Sequence, residues 1–288
     1  MYFSITNFLD HILKRNKIFL SIICVSMILG SDIASAQGNL LITPRRVVFE
    51  NGKRSEELNL ANIGKDTATY IISLIEIRMN DEGEFQKIIA PDSSQRFADK
   101  NLRIFPRSVT LAPNEAQTVK VQVSKAGELQ PGEYRSHLYF RAVPRDPPLG
   151  DGKGKNDSTI SVHIVPIFGI SMPVIIRVGE STAKVSISNT SLKIQKDTVN
   201  SLKLTFNRSG NMSLYGDLSV DHISDDGKVT RVGIVRGLAI YSPNMKRNFH
   251  LALDNNAGVN YHHGKLHIVY SDQATKPIIL TEDSLALK

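Results

Sequence analysis

Residues Thr159–Val178 read TISVHIVPIFGISMPVIIRV and decide the fold. Every even position from Ile160 to Ile176 is apolar, Pro166 included, and most of these residues are β-branched. Such alternation with a period of two predicts a β-strand. As one strand the run would be roughly 60 Å long at about 3.3 Å per residue, whereas a typical strand is about 17–20 Å. We therefore expect either a strand that serves two domains in succession or two buried strands with a bend at Pro166 or Gly169.

The same run could also be a membrane-spanning helix, because no charge occurs before Arg177 and about 18 uncharged residues suffice to span a bilayer. Pro166, Gly169 and Pro173 interrupt it, and such residues are poorly tolerated in a helix within lipid. We favour the strand.

The N-terminus carries an export signal. Lys14, Arg15 and Lys17 precede an apolar run, and Ala34-Ser35-Ala36 provides small residues for cleavage. This pattern predicts a signal peptide over residues 1–36, with an uncleaved membrane anchor as the alternative. The single cysteine, Cys24, lies within it, so the mature chain has no disulfide and its stability must come from its apolar cores.

The rest of the chain reads as short strands separated by turns. From Leu40 to Val143 they recur at roughly ten-residue spacing, and a second series runs from Lys184 to Thr281, including Val229–Tyr241. Two all-β sandwiches are expected, over residues 37–178 and 179–288. We assign the Pro/Gly-rich segment Pro144–Asp157 to a loop of the first domain, because the long strand after it must complete the first sheet.

The residues that catalysis would need are missing. The sequence lacks nucleophile-elbow, zinc-protease and Walker motifs, so we predict that the protein is not an enzyme and carries no cofactor or metal. His263 and His267 would lie about 13 Å apart on one strand, with Lys265 between them, which is too far for one metal ion. The formal net charge is +7, but the basic residues are dispersed, so no nucleic-acid partner is expected.

Two arginines stand out near the mature N-terminus. In Pro44-Arg45-Arg46-Val47-Val48-Phe49, alternation places Arg46 and Val48 on one side of a strand and Arg45, Val47 and Phe49 on the other. Two arginines on a solvated strand edge would be the ordinary interpretation. The functional alternative is an anion anchor, because a guanidinium can bind a carboxylate through two hydrogen bonds.

Several motifs, taken in order, resemble the PapD-like periplasmic chaperones of pilus and fimbria assembly. The similar segments are Ile42–Phe49 with Arg46 at the position of the family's characteristic arginine, Leu58–Asn62 with its asparagine, Phe105-Pro106, Val109–Val121 and the signature strand Pro131–Pro144. The resemblance covers about residues 38–178.

The resemblance implies two immunoglobulin-like β-sandwich domains in an L-shaped arrangement. It also implies a function: family members cap incomplete pilus or fimbrial subunits by lending them an edge strand, and they deliver these subunits to an outer-membrane usher. Backbone hydrogen bonds would supply affinity, and alternate side chains would fill the groove of the subunit.

In the family, two basic residues anchor the subunit's C-terminal carboxylate. The resemblance assigns Arg46 as the first. The second is usually a lysine late in the donor strand, yet neither lysine nor arginine occurs between Lys155 and Arg177. Arg45, Arg135 and Arg177 are therefore candidate helpers.

We assign Thr159 to about Phe168 as the donor edge, with Ile160, Val162, Ile164 and Phe168 facing the subunit, and Gly169–Val178 as the passage into the second domain. A bulge at Pro166 could instead turn these side chains toward the core. The expected location is the periplasm, with self-association through the exposed edge in the absence of a subunit. The alternative function is a secreted immunoglobulin-like adhesion or ligand-binding module that uses its loops.

Overall fold

The computed structural model describes residues 40–144, 167–194, 200–254 and 258–287. Eighteen strands and two short 3₁₀ helices make up this part of the chain. The strands are β1 Leu40–Thr43, β2 Val47–Phe49, β3 Ser55–Asn62, β4 Ala68–Ile75, β5 Ile77–Met79, β6 Phe85–Lys87, β7 Leu102–Phe105, β8 Ser108–Leu111, β9 Ala116–Val123, β10 Gly132–Ala142, β11 Gly169–Val178, β12 Lys184–Lys193, β13 Ser201–Ser209, β14 Leu214–Ile223, β15 Val229–Ile240, β16 Lys246–Ala252, β17 Lys265–Ser271 and β18 Ile279–Ala286. The 3₁₀ helices are Asp99–Asn101 and Ala126–Glu128. In the described segments, no helix has the length and apolar character needed to cross a membrane.

The first sandwich packs a four-stranded sheet, ordered β1-β3-β9-β7, against a five-stranded sheet, ordered β2-β11-β10-β4-β8. Leu58 and Leu60 of β3 and Val121 of β9 meet Leu138 and Phe140 of β10 in a core without solvent access. Their alternation along the strands builds the core, because every second side chain points to the same face of a sheet.

The second sandwich packs β12-β13-β16 against β15-β14-β17-β18. Phe206 and Tyr270, whose ring centroids are 5.1 Å apart, lie at the centre of its core. The prediction of an all-β chain with two immunoglobulin-like sandwiches is confirmed. The L-shaped arrangement stays a prediction.

The opening segment Leu40–Phe49 is not one continuous strand. It is two strands, and they belong to different sheets: β1 pairs antiparallel with β3, and β2 pairs parallel with β11. Pro44 lies between them and has no N–H to donate to a ladder, which favours an interruption at this point.

Strand β11 also differs from the expectation, because it is not a passage out of the first sandwich. It pairs with β10 over its whole length, and Met172, Val174 and Ile176 are buried in the first core. Gly169 begins it, and the ring of Tyr139 on β10 occupies the space that a Cβ at Gly169 would need. A glycine in a strand often marks such a close approach.

Candidate functional site

Strand β10 has two faces, and both are buried near its start. Leu138 and Phe140 face the first core, whereas the odd-numbered Glu133, Arg135 and His137 lie on the other face and are also buried, at 8%, 3% and 2% exposure. The second sandwich provides the cover, since its Ala239 and Tyr241 form a small apolar cluster with Met79 and Ile175. Polar side chains are thereby enclosed between the sandwiches.

Arg46 reaches this region from the residue before β2. Its Nη1 donates a hydrogen bond to the Tyr241 hydroxyl at 3.3 Å, and its guanidinium carbon lies 4.3 Å from the centre of the Tyr215 ring. The side chain is only half buried. Val48, on the same face as Arg46, packs against the apolar cluster, so the predicted alternation places Arg46 between the two sandwiches.

Arg135 lies on the same tyrosine. Its guanidinium carbon is 4.1 Å from the centre of the Tyr241 ring, and that of Arg46 is 5.7 Å from the same point. The two cations are therefore no more than about 10 Å apart. We call Arg46, Arg135, His137, Tyr215 and Tyr241 the Tyr241 cluster.

All three side-chain nitrogens of Arg135 are buried and have no hydrogen-bond partner among the described residues. Burial lowers its pKa; Tyr241, Glu133 and Glu76 oppose this shift, and the neighbouring Arg46 adds to it. A guanidinium has five N–H donors and stays charged in proteins. A stacking contact with an aromatic ring offsets about 2 kcal/mol of the cost of burial, whereas an unpaired buried ion costs several kcal/mol. Glu133 and Glu76 act on this charge without a hydrogen bond to it, so its burial is only partly compensated.

The two nearby carboxylates do not bond to Arg135. Glu133 accepts from the Ser213 backbone N–H at 2.9 Å and from the Ser213 hydroxyl, and its Oε2 also pairs with Arg177 Nε at 3.3 Å. Glu76 accepts from the Ser136 hydroxyl at 2.7 Å, while its Oε2 is buried and unpartnered. Burial raises the pKa of Glu76 to about 7, so near neutral pH it is only partly ionised.

His137 completes the cluster as a neutral ring. Burial, followed by the charges of Arg135 and Arg46, lowers its pKa to about 3. Its ring lies edge-on to Phe85 and Tyr241, with centroids 5.9 and 6.5 Å away. The net charge of the cluster at neutral pH is therefore positive and comes from its two arginines.

The other two candidate helpers lie outside the cluster. Arg177 binds Glu133, Glu50 at 3.3 Å and the Ser213 carbonyl at 2.8 Å. Arg45 is exposed on the opposite side of the chain from Arg46. Of the three candidates, only Arg135 meets Arg46 at a shared residue.

The donor stretch is described in part. Ile160, Val162 and Ile164 lie outside the described residues, whereas Phe168 is described. The Phe168 carbonyl accepts from the Ala142 backbone N–H at 2.9 Å, which extends the β10–β11 ladder by one residue. The Phe168 side chain is 43% exposed and that of Ile170, two residues on, is 37% exposed.

The far edge of β11 is only half covered. Strand β2 pairs with Val174–Ile176, and within the described residues no strand pairs with the same edge over Gly169–Pro173. Pro173 ends this open segment, in keeping with the preference of proline for strand edges.

The histidines near the C-terminus form ordinary contacts. His267 Nε2 lies 3.0 Å from Glu282 Oε2, and His263 Nδ1 lies 3.8 Å from Asp225. In the described part of the chain, no three potential ligand side chains are grouped closely enough to hold a metal ion.

No protein-family model matches this chain, and no curated protein matches it. Solved structures do. The E. coli chaperone DraB has a TM-score of 0.43 and 15% identity, over 86% of this chain and 96% of its own. The CupB2 chaperone of Pseudomonas aeruginosa has a TM-score of 0.42 and 14% identity, over 86% and 100%. The CsuC–CsuE chaperone–subunit pre-assembly complex of Acinetobacter baumannii has a TM-score of 0.42 and 15% identity, over 85% and 99%. These likenesses concern the fold.

Proposed function

We propose that this protein is a periplasmic chaperone that binds pilus- or fimbria-type subunits by donor-strand complementation and delivers them for assembly at the outer membrane. The observation that carries the proposal is the edge of β11 at Gly169–Pro173, which no strand of the described residues pairs with and where the apolar side chains of Phe168 and Ile170 are exposed.

An open, apolar strand edge is a hazard that proteins normally cover or charge, because it invites pairing with other chains. Leaving it open is useful when pairing is the function. An extended segment of another protein can add to such an edge, with the ladder supplying affinity and alternate side chains supplying specificity. On this proposal the donor residues are Ile160, Val162, Ile164 and Phe168, of which Phe168 is described and exposed.

The proposed anchor for the subunit is Arg46, which binds the C-terminal carboxylate, with Arg45, Arg135 and Arg177 as candidate helpers. Arg46 uses one hydrogen bond on Tyr241 and is only partly buried, so other N–H groups remain to bind a carboxylate. Loss of a charged hydrogen bond to a buried partner costs about 2–5 kcal/mol. An Arg46→Ala change should therefore reduce recovery of the subunit without unfolding the chaperone.

The proposal includes the setting of the protein. Residues 1–36 would direct export to the periplasm, residues 37–178 would form the chaperone domain, and residues 179–288 the second domain. An outer-membrane usher would receive the subunit. Without a subunit, the open edge of β11 would pair with a second copy of the chain.

Co-expression with the cognate subunit tests the proposal. The wild-type chain should yield a soluble one-to-one complex, and Ile170→Asp should abolish it because a charge would enter the subunit's apolar groove. Ile234→Asp is the matched control, since Ile234 is 50% exposed and lies on β15, an edge strand of the second sandwich. Complex formation by the Ile170 variant at the level of the control would refute the donor edge.

A further inference from the structure

We propose that the hairpin of β5 and β6, residues 77–87, is a strap that fastens the second sandwich over strand β10 and opens as a unit. The hairpin belongs to neither sheet of the first sandwich, because β5 and β6 pair only with each other among the described strands. The inference does not depend on the chaperone proposal, since it concerns how the two sandwiches of one chain are held together.

The first observation is a set of polar contacts between the hairpin and the region of β16. The Asn248 backbone N–H donates to the Asp81 carbonyl at 2.6 Å, and the Asn244 side-chain amide donates to the Met79 carbonyl at 2.7 Å. Longer side-chain contacts, both 3.4 Å, join Asn244 to Asp81 and Asn248 to Glu82. Because the two short bonds end on backbone carbonyls, the attachment depends on the conformation of the hairpin.

The second observation is that the turn of the hairpin is shaped for this attachment. Hydrogen bonds of 2.8 and 2.9 Å between Asn80 and Glu84 close the turn. Gly83 has a φ of +85°, and the Arg247 guanidinium lies 2.8 Å from the position that a Cβ at Gly83 would take. Arg247 in turn donates to the Ala239 carbonyl of β15. A glycine at position 83 therefore serves both the turn and the close approach of the second sandwich.

The third observation is the apolar contact beneath the strap. Met79 is 1% exposed and packs in the small apolar cluster with Tyr241 of the second sandwich. The ring of Phe85 lies against His137 and Tyr241, with centroids 5.9 and 6.1 Å away. The closed hairpin thus helps to cover His137, which is 2% exposed.

The strap is weaker than the sandwiches that it joins. A two-stranded ribbon is at best marginally stable on its own in water, and all three residues of β6 are exposed. Segments with few buried contacts open locally while the rest of the domain stays folded. Opening of the strap frees the second sandwich to turn relative to the first and lets water reach His137.

Hydrogen exchange of the mature chain tests the strap. Asn244→Ala removes the amide that donates to the Met79 carbonyl and leaves the hairpin unchanged. It should speed exchange of the Asn248 amide by about fivefold, the effect of losing one ordinary hydrogen bond, and should speed exchange at the ring carbon of His137. Asn207→Ala is the matched control, because Asn207 is also half buried and its side chain donates at 2.8 Å within the second sandwich.

A pair of glycine variants tests the strap from the side of the hairpin. Gly83→Ala introduces a Cβ that displaces Arg247, and it should speed exchange of the Asn248 amide by at least as much as Asn244→Ala does. Gly227 has the same φ of +85°, in the turn between β14 and β15, with no atom within 4 Å of a Cβ there. Gly227→Ala therefore introduces the same backbone strain away from the strap and should leave Asn248 unchanged.

Spin labels on the two sandwiches test whether the strap sets the angle between them. Gln117→Cys on β9 and Lys265→Cys on β17 place labels at exposed positions, and residues 37–288 contain no cysteine. The distribution of distances between the labels, measured by electron paramagnetic resonance, should be wider in Asn244→Ala than in wild type or Asn207→Ala.

Together these measurements decide the proposal. Faster exchange at Asn248 in both strap variants, with a wider distance distribution in Asn244→Ala, would support it. Unchanged exchange at Asn248, or a distribution no wider than that of Asn207→Ala, would overturn it. An equal rise in exchange at the amides of β14, in the middle of the second sandwich, would show that the variants unfold the whole domain and would overturn opening as a unit.

Discussion

Arg208 and Arg135 are buried to nearly the same degree, at 5% and 3% exposure, but their surroundings are opposite. Arg208 Nε donates to the Asn244 carbonyl at 2.7 Å, Nη1 to the Gly210 and Met212 carbonyls, both at 2.9 Å, and Nη2 to the Pro243 carbonyl at 3.3 Å. By contrast, no side chain or backbone group in the described part of the chain accepts a hydrogen bond from the nitrogens of Arg135. Burial alone therefore does not reveal what an arginine does.

The difference in hydrogen bonding indicates that Arg208 stabilises the protein and that Arg135 does not. Arg208 ties two loops of the second sandwich together through their backbone carbonyls, so its charge and their dipoles satisfy each other. Within the described residues, Arg135 stacks on the Tyr241 ring and donates no side-chain hydrogen bond. A buried charge that is not satisfied costs stability, and it is retained where it serves another purpose, such as binding.

The largest expected effect is on Arg208. Arg208→Met should lower the free energy of unfolding by about 3–5 kcal/mol, because it strands four carbonyls that the guanidinium now satisfies. Denaturant titration measures it. A loss of less than about 1 kcal/mol, the size expected for an ordinary surface change, would show that the hydrogen bonds of Arg208 do not stabilise the protein.

The next largest effect is the loss of stability at acid pH that protonation of His137 causes. Its pKa in the folded protein, about 3, lies below the ordinary value of 6.5, so between these values the unfolded chain takes up a proton that the native state refuses. The stabilisation is complete above about pH 6.5 and is lost as the pH falls toward 3. At pH 4 the loss is about 3 kcal/mol, since each pKa unit corresponds to about 1.4 kcal/mol.

His137→Phe should abolish most of this fall in unfolding free energy at acid pH, whereas His262→Phe, at an exposed position, should leave it unchanged. The measurement is the slope of unfolding free energy against pH between 6.5 and 4. Because Arg135 contributes to the low pKa of His137, Arg135→Met should raise the pH at which the fall in unfolding free energy ends. An unchanged pH dependence would show that the charge of Arg135 does not affect the pKa of His137.

Glu76 should have a smaller effect of the opposite sign. Its pKa in the folded protein, about 7, lies above the ordinary value of 4.5, so its contribution to stability is present below about pH 4.5 and is lost as the pH rises to about 7. Glu76→Gln should stabilise the protein at pH 8 by about 1–2 kcal/mol, a figure reduced for partial exposure of the group. Glu57→Gln, at an exposed position, is the control, and an equal gain from both variants would contradict the account.

The smallest expected effect on stability is at Arg135 itself. Arg135→Met should leave the free energy of unfolding within about 1 kcal/mol of wild type or raise it, because an apolar chain replaces an unpaired ion and gives up only a stacking contact. Calorimetry of Arg135→Met beside Arg208→Met gives the direct contrast. A loss at Arg135 comparable to that at Arg208 would mean that both arginines are structural.

Part of the candidate site could be predicted from the sequence. The alternation in Arg46-Val47-Val48-Phe49 placed Arg46 opposite the core residues, and it does lie between the sandwiches. His137, Tyr215, Tyr241 and Glu76 were not singled out. Strand β10 alternates apolar and polar residues, which predicts one solvated face. Arg135 and His137 are on that polar face, and local pattern gives no sign that a second sandwich covers it.

The sequence by itself determined that the chain is all-β with two sandwiches, because period-two alternation and turn residues are local signals that each strand carries. Three features follow only from how the strands pack in space: β1 and β2 belong to different sheets, β11 stays within the first sandwich with part of its edge unpaired by the described strands, and two arginines 89 positions apart in the chain meet at Tyr241. These outcomes depend on which strands pair and which faces pack, and such long-range choices are made by the burial of whole faces rather than by any one segment.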